Sequence, residues 1–278
     1  MRYTLFGESH GPAVGILAEG FAPGIAVDQV LLEELMRRRR GGREHTTQRR
    51  EEDKVQILSG VYRGKTTGDP ICIVIENTDV KSEDYAALAN VPRPSHGDYA
   101  AYCKSKGYND PRGGGHLSAR LTAPVTALGA VALSSLAQRG IGIGAHLAAC
   151  GGIKDDSFLQ SPPTDEIILQ LKKKEFPTLN ETTGCAMRDA MAEAREEGES
   201  LGGAVECAVL HLPAGMGGRE ERENLQSRLA SELFSLPGVK GCPSARERIL
   251  PRCAAAKRTT LLPRRTEGSS QGATAAAA

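Results

Sequence analysis

The character of the chain breaks at Gly241, and that break limits what can fold. Up to Gly241, segments with helical and strand periodicity alternate; beyond it neither period is sustained. Residues 242–278 hold no Phe, Tyr or Trp. They carry seven basic residues against Glu247 and Glu267, and end in Gly-Ser-Ser-Gln-Gly-Ala-Thr-Ala-Ala-Ala-Ala. So little apolar bulk cannot offset the entropy lost on ordering, so 242–278 reads as a disordered, basic, Ala-rich tail. A basic arm that binds a partner is the alternative. The foldable part is then 1–241, long enough for one large domain with a substantial core.

Charge and composition remove several function classes. Lys and Arg number 35 and Asp and Glu 34, so no overall field draws the chain to nucleic acid or to an anionic membrane. Six Tyr, five Phe and no Trp make a base-stacking surface a poor expectation. No run of 18 apolar residues and no signal-peptide core occur, so no membrane partner and a cytoplasmic location are expected. Seven widely spaced cysteines without a CxxC suggest neither a disulfide framework nor a metal site.

The periodicities predict the elements coarsely. Asp28 caps a helix to about Arg39, with Val30, Leu31 and Leu35 on its apolar side. Val55–Leu58 and Ile71–Glu76 read as strands, and 80–118 as mostly loop. Helices follow at Pro124–Gln138, Asp165–Lys174, Ala186–Glu197 and Glu220–Phe234. Strands follow at Ile141–Ala149 and Ala204–Leu212. Antiparallel strands with helices packed on them make the fold class α+β.

Four segments set polar chemistry among glycines. Gly7-Glu8-Ser9-His10-Gly11 can aim an imidazole and a hydroxyl at a ligand, or be an ordinary turn. Arg37–Arg40, with Arg43 and the stretch Thr46–Arg50, exceeds what Glu33 and Glu34 can pair. Its surplus suits a phosphate or carboxylate, although a basic patch for RNA is also open. Arg93-Pro94-Ser95-His96-Gly97-Asp98 holds a second loop histidine near a carboxylate. Asp110-Pro111-Arg112-Gly113-Gly114-Gly115-His116 offers backbone N–H groups before a helix, either as a phosphate cradle or as a hinge. It is neither a P-loop nor a GxGxxG fingerprint. The residues alone describe an enzyme for small polyanions, with the reaction class open.

In this order, the segments resemble the chorismate synthase family over residues 4 to 241. The likeness rests on Phe6–Gly11, Thr46–Glu51, Ile57–Val61, Lys65–Gly68, Ile75-Glu76-Asn77, Arg93–His96, Arg112–Gly115, Pro213–Gly217 and Val239–Gly241. It implies helices sandwiched between antiparallel sheets and a homotetramer. The implied function is a lyase of the shikimate pathway, serving aromatic amino acid biosynthesis. That lyase converts the phosphorylated small molecule 5-enolpyruvylshikimate-3-phosphate to chorismate by anti-1,4-elimination, with reduced FMN required and NADPH as its reductant. By position, His10 and His96 match the catalytic histidines, and Arg38 an arginine of the substrate- and NADP-binding stretch. Arg43 stands in for a second arginine whose position falls near Glu44. His116, Leu117 and Ser118 match a flavin-binding tripeptide that more often reads Arg-Ser-Ser, and Pro237 and Gly238 a pair that touches the flavin.

The resemblance stops at Gly241, where family members continue with further flavin loops and a catalytic aspartate. The pattern is that of a truncated or frameshifted reading frame, and the resemblance then implies an impaired enzyme. A regulatory pseudoenzyme that keeps the fold is the alternative. An RNA-binding protein working through Arg37–Arg43 is the more distant one.

Overall fold

The computed structural model describes residues 1–41, 46, 49, 51–80, 91–93, 96–220 and 223–243. Its first half is built on β6, Ile71–Glu76, whose side chains alternate between buried and half-buried. Flanking it are β2 (Ala13–Glu19) and β3 (Val55–Ser59), and β1 (Arg2–Gly7) lies outside β2, giving the antiparallel order β1-β2-β6-β3. Register sets Val14 opposite Ile75, Ile16 opposite Ile73 and Ala18 opposite Ile71. All six are fully buried on one face of the sheet. A one-residue slip would turn this whole row to solvent, so the pattern itself fixes the register.

Two helices cover that face. Helix α1, Gln29–Arg39, starts at Asp28, whose carboxylate accepts from the Leu31 amide at 3.0 Å. Helix α3, Thr122–Ala137, is rich in small residues and brings Ala123, Ala127, Leu128, Ala130 and Val131 into the same core as Leu32 and Met36 of α1. A second antiparallel sheet, in the order β8-β7-β9, is made of β7 (Gly142–Cys150), β8 (Ile153–Lys154) and β9 (Gly203–Leu210). On one side of β7 lies α4, Asp165–Lys173; a Cβ at Gly144 would come within 2.5 Å of Ile168. On the other side, Ile143 and Leu147 share a cleft of about 440 Å³ with Leu35 of α1 and Leu133 of α3. Helices α1 and α3 thus lie between the two sheets, and the fold is α+β with a sandwiched helical layer.

Several elements differ from the sequence expectation. The inward face of α1 is Leu32 and Met36, while Val30 is 77% exposed. Strands β1 and β2 and the hairpin of β4 (Val61–Tyr62) with β5 (Lys65–Thr66) went unread. In the stretch expected to be loop, Asp98–Ser105 forms α2, which buries none of its residues and so leaves no apolar period to read. Helix α5, Glu181–Glu196, begins five residues early because Asn180 accepts from the Thr182 and Thr183 amides. Helix α6, Leu225–Ser235, starts five residues late, capped by Asn224.

Arg112–Ala137 is long and apolar enough on composition alone for a membrane span. Gly113, Gly114 and Gly115 have non-helical dihedrals, however, which leaves a 16-residue helix that packs into the core. A span needs about 20 residues.

Ile73 is fully buried on the central strand. Ile73→Ala should cost about 2–5 kcal/mol, read as a lowered urea midpoint at unchanged slope. A change within error would mean that this core repacks freely.

Candidate active site

The turn between β1 and β2 carries Ser9 and His10, only 2% and 8% exposed. Two backbone contacts set the turn: Gly11 N–H donates to Glu8 C=O at 3.1 Å, and Ser9 N–H to Gly115 C=O at 3.1 Å. That second bond brings the glycine triplet onto the histidine turn. A Cβ at Gly113 would lie 2.3 Å from the His10 ring, and one at Gly115 would lie 2.2 Å from the Asp110 carbonyl oxygen. Both glycines have positive φ, +58° and +53°, so only residues without a Cβ allow this approach. The triplet is therefore a close-packed floor against His10, which answers the choice between cradle and hinge.

Beneath the turn lies a cluster of charges. Arg49 donates to Ser9 Oγ and to Ser9 C=O, both at 2.9 Å, and its Nε donates to Glu51 at 2.6 Å. Arg120 is 6% exposed. Its guanidinium pairs with Glu51 and with Asp53, and donates to Asn77 Oδ1 at 2.9 Å and to Glu76 C=O at 3.2 Å. Asp53 also takes Arg39 at 2.7 Å. Three arginines thus meet two buried carboxylates, and of the three it is Arg49 that reaches the Ser9–His10 turn. Arg112 is held above, tied to Asp110 at 2.7 Å, and that bond holds the Asp110 carboxyl below its ordinary range. His10 is held below the usual imidazole value by its burial, and then by the charges of Arg49 and Arg112. At neutral pH it is a neutral imidazole among cations, able to give one N–H and to accept one proton.

His96 lies on the far side of the glycine triplet. Its N–H donates to Arg93 C=O at 3.3 Å, and Arg93 forks onto Asp98 at 2.8 and 3.0 Å. Those bonds hold Asp98 below its ordinary range. A Cβ at Gly114 would lie 3.5 Å from Arg93 Nη2, so the His96 loop and the His10 turn border the same three glycines. His116 Nδ1 is 3.0 Å from Gly7 C=O. A carbonyl can only accept, so Nδ1 is the protonated nitrogen of that bond. Leu117 is 53% exposed, and Ser118 caps the next turn by accepting from Arg120 N–H at 3.3 Å.

Other residues named from the sequence lie elsewhere. Arg38 donates to the carbonyls of Lys172 and Lys174 at 3.3 Å, at the C-terminal end of α4. It is Arg39, one position on and about 100° round the helix, that reaches the buried cluster. Arg37 pairs with Glu34 and Glu175. Arg43 lies outside the described residues, as do Pro94, Ser95 and the tail beyond 243. Pro237 and Gly238 follow α6, whose Glu232 accepts from the Tyr3 hydroxyl at 2.9 Å. Tyr3 is four residues from Gly7, about 13 Å along β1. The sequence reading held Arg39 and Arg49 only as members of an arginine-rich stretch, and gave Glu51, Asp53, Asn77 and Arg120 no role in the site. Their one signal was a pair of acids, Glu51 and Asp53, just before an apolar strand and close after an arginine run.

Residues 1–245 match a family model described as chorismate synthase. A chorismate synthase of Thermococcus kodakarensis is 42% identical over 241 residues, 87% of this chain and 65% of that protein. One from Syntrophobacter fumaroxidans is 43% identical over 240 residues, 86% of this chain and 66% of that one. A crystal structure of chorismate synthase superposes with a TM-score of 0.67 at 28% identity, covering 86% of this chain and 66% of the other. The chain therefore spans about 65% of the length of the relatives it matches.

The His10 environment has a pH signature. A histidine that resists protonation only when folded lets the unfolded chain bind more protons as pH falls through about 6.5. Stability should therefore drop between about pH 7.5 and about pH 5.5, and His10→Gln should flatten part of that slope in urea titrations. Parallel slopes for the two proteins would show that His10 titrates alike folded and unfolded.

Proposed function

The chain belongs to the chorismate synthase family, and from that premise we propose that its His10 pocket serves the phosphate-eliminating lyase reaction of that family. The substrate is 5-enolpyruvylshikimate-3-phosphate and the products are chorismate and phosphate. One observation carries the reading: Ser9 and His10 are buried beside the guanidinium groups of Arg49 and Arg112, with a glycine floor closing one side.

Elimination of phosphate builds negative charge on the departing oxygens, and preorganised cations and donors lower that barrier most. Arg49 and the Ser9 hydroxyl are fixed to each other and to Glu51, so they cost little reorganisation. His10, neutral near pH 7, has an N–H to give to a phosphate oxygen. His96, exposed beside the Arg93–Asp98 fork, has the mobility to take up and release a proton. Arg38 and Arg43 remain assigned to substrate and NADP binding by family position alone. The engagement of Arg37, Arg38 and Arg39 with this chain's own carboxylates and carbonyls weighs against an RNA surface.

The family implies reduced FMN. The fit to it is on one edge: His116 presents its second ring nitrogen while Nδ1 is held by Gly7, with exposed Leu117 and half-buried Ser118 beside it. Reduced flavin, when bound, supplies electrons to the breaking C–O bond, with no net redox change. The residues here bind, orient and manage protons. Pro237 and Gly238, assigned to the flavin by family position alone, follow α6, whose Glu232 accepts from Tyr3 of β1. Weak FMN binding and low turnover by residues 1–278 are part of the same proposal, with a regulatory role for a stable, inactive assembly as the second reading. Homotetramer assembly and a cytoplasmic location go with the same reading.

Two measurements test this. Quenching of FMN fluorescence by residues 1–278 should show weak binding, and chemically reduced FMN should support little chorismate formation; full turnover overturns the impairment. In an intact relative, His10→Ala and His96→Ala at the matching positions should each cut turnover about 10²–10⁴-fold with the fold retained. Undiminished turnover in both would remove the histidines from the mechanism.

A further inference from the structure

On the reading of His10 as the acid–base group of the site, we propose that Asn77 is a positioning residue for it: its side-chain amide clamps the Glu8–Gly11 turn to the buried Arg120. Asn77 follows directly on β6, the central strand of the first sheet. Its Nδ2 donates to Glu8 C=O at 3.0 Å and to Gly11 C=O at 2.8 Å, the two ends of the turn that holds His10. Its backbone N–H donates to Pro12 C=O at 3.0 Å. Its Oδ1 accepts from Arg120 Nε at 2.9 Å. Three bonds thus run from one residue to one turn, and a fourth anchors that residue to a guanidinium held by two carboxylates.

Only a carboxamide of this length meets the demand. The site needs two N–H groups on one side and an acceptor on the other. Aspartate has the acceptor but no donor, and would face two carbonyl oxygens. Glutamine has both but carries them one methylene further. A hydroxyl gives one donor at most. A second tie reaches the turn from the same guanidinium: Arg120 pairs with Glu51, Glu51 with Arg49, and Arg49 with Ser9. That route holds Ser9 from below, while Asn77 closes the turn on either side of Ser9 and His10. His10 lies within the turn that Asn77 closes.

The consequence is measurable without flavin, substrate or turnover. Arg49, Arg112, Asp110 and Glu51 are the charges that face His10, and burial acts with them. If the turn loosens, the ring gains water and moves away from both arginines, and its titration returns toward the ordinary value. In residues 1–278 carrying Asn77→Ala, the His10 Cε1–H NMR titration should move up on the order of half a pH unit. Hydrogen exchange at the Gly11 amide should quicken about tenfold, while amides of β2 and β6 keep their protection. A folded Asn77→Ala chain with unchanged His10 titration and Gly11 exchange overturns the proposal. If that chain does not fold, Asn77→Asp is read by Gly11 exchange alone, because its added charge would itself move the titration. Faster exchange confined to the turn supports the role, and unchanged exchange overturns it. Failure of both variants to fold marks Asn77 as a general structural residue, which also overturns the narrower claim. None of these outcomes depends on His10 being catalytic, which the turnover of His10→Ala tests separately.

Discussion

The interaction on which the first half of the molecule depends is the burial of the Arg120 guanidinium. A lone cation in a protein interior is costly, and attraction to one partner rarely repays the loss of water. Here four acceptors surround it: Glu51, Asp53, the Asn77 amide oxygen and the Glu76 carbonyl. They come from the segment before β3 and from the end of β6, and Arg120 itself from the turn before α3. Meeting that one charge brings three distant stretches of chain to a single point. The loops that carry Ser9, His10 and the glycine triplet are then hung from this point. Removing either carboxylate would leave buried positive charge under-compensated, so the network fixes geometry more than it adds stability.

The sheet and the network divide the labour. Six fully buried side chains on β2 and β6 hold the sheet by area alone, without direction. That is enough to set a register and too blunt to aim a ring. Aiming comes from hydrogen bonds at the strand ends: Gly7 C=O to His116, Ser9 N–H to Gly115 C=O, and Asn77 to the turn. The chemistry sits where β1, β2 and β6 give way to loops, because there the backbone groups are free of the ladder and available to side chains.

How far this was legible in the sequence follows the same line. The apolar run Ile71–Ile75 and the small-residue helix starting near Pro124 announce themselves through composition and period. Glycines beside histidines mark segments where backbone comes close to something, and the His10 ring and the Arg93 guanidinium do border Gly113 and Gly114. What could not be read is which arginine reaches inward. Arg37, Arg38, Arg39 and Arg40 are indistinguishable as letters, yet each points about 100° away from the last on a helix, and only packing against β3 decides that Arg39 meets Asp53. Arg120 and Asn77 were hidden for a related reason. A buried polar residue is defined by its partners, and these lie 43 to 69 positions apart. Strands β1 and β2 are hard to read because apolar residues lie on both faces, Phe6 and Leu17 among the exposed ones, which blurs the alternation.

The second sheet solves the same problem with different residues. His146 on β7 is fully enclosed, with Nδ1 3.0 Å from Asp155 and Nε2 3.0 Å from Glu206 of β9. Asp155 accepts further from the Leu179 and Asn180 amides, and Glu206 from the Ser157 hydroxyl and the Phe158 amide. Every polar atom in this group answers another across a gap of many residues, as around Arg120. Both clusters lie at junctions where sheet, helix and loop must meet at one angle, and apolar packing tolerates small slides there. Hydrogen bonds to a buried charge do not, because each degree of misalignment exposes a desolvated group. The sandwich is therefore filled by Ile, Leu and Ala, while its corners are fixed by charges. Of the two corners, the one around Arg120 is linked through Glu51 and Arg49 to the Ser9–His10 turn, and the one around His146 ties β7 and β9 to the segments at Asp155 and Ser157.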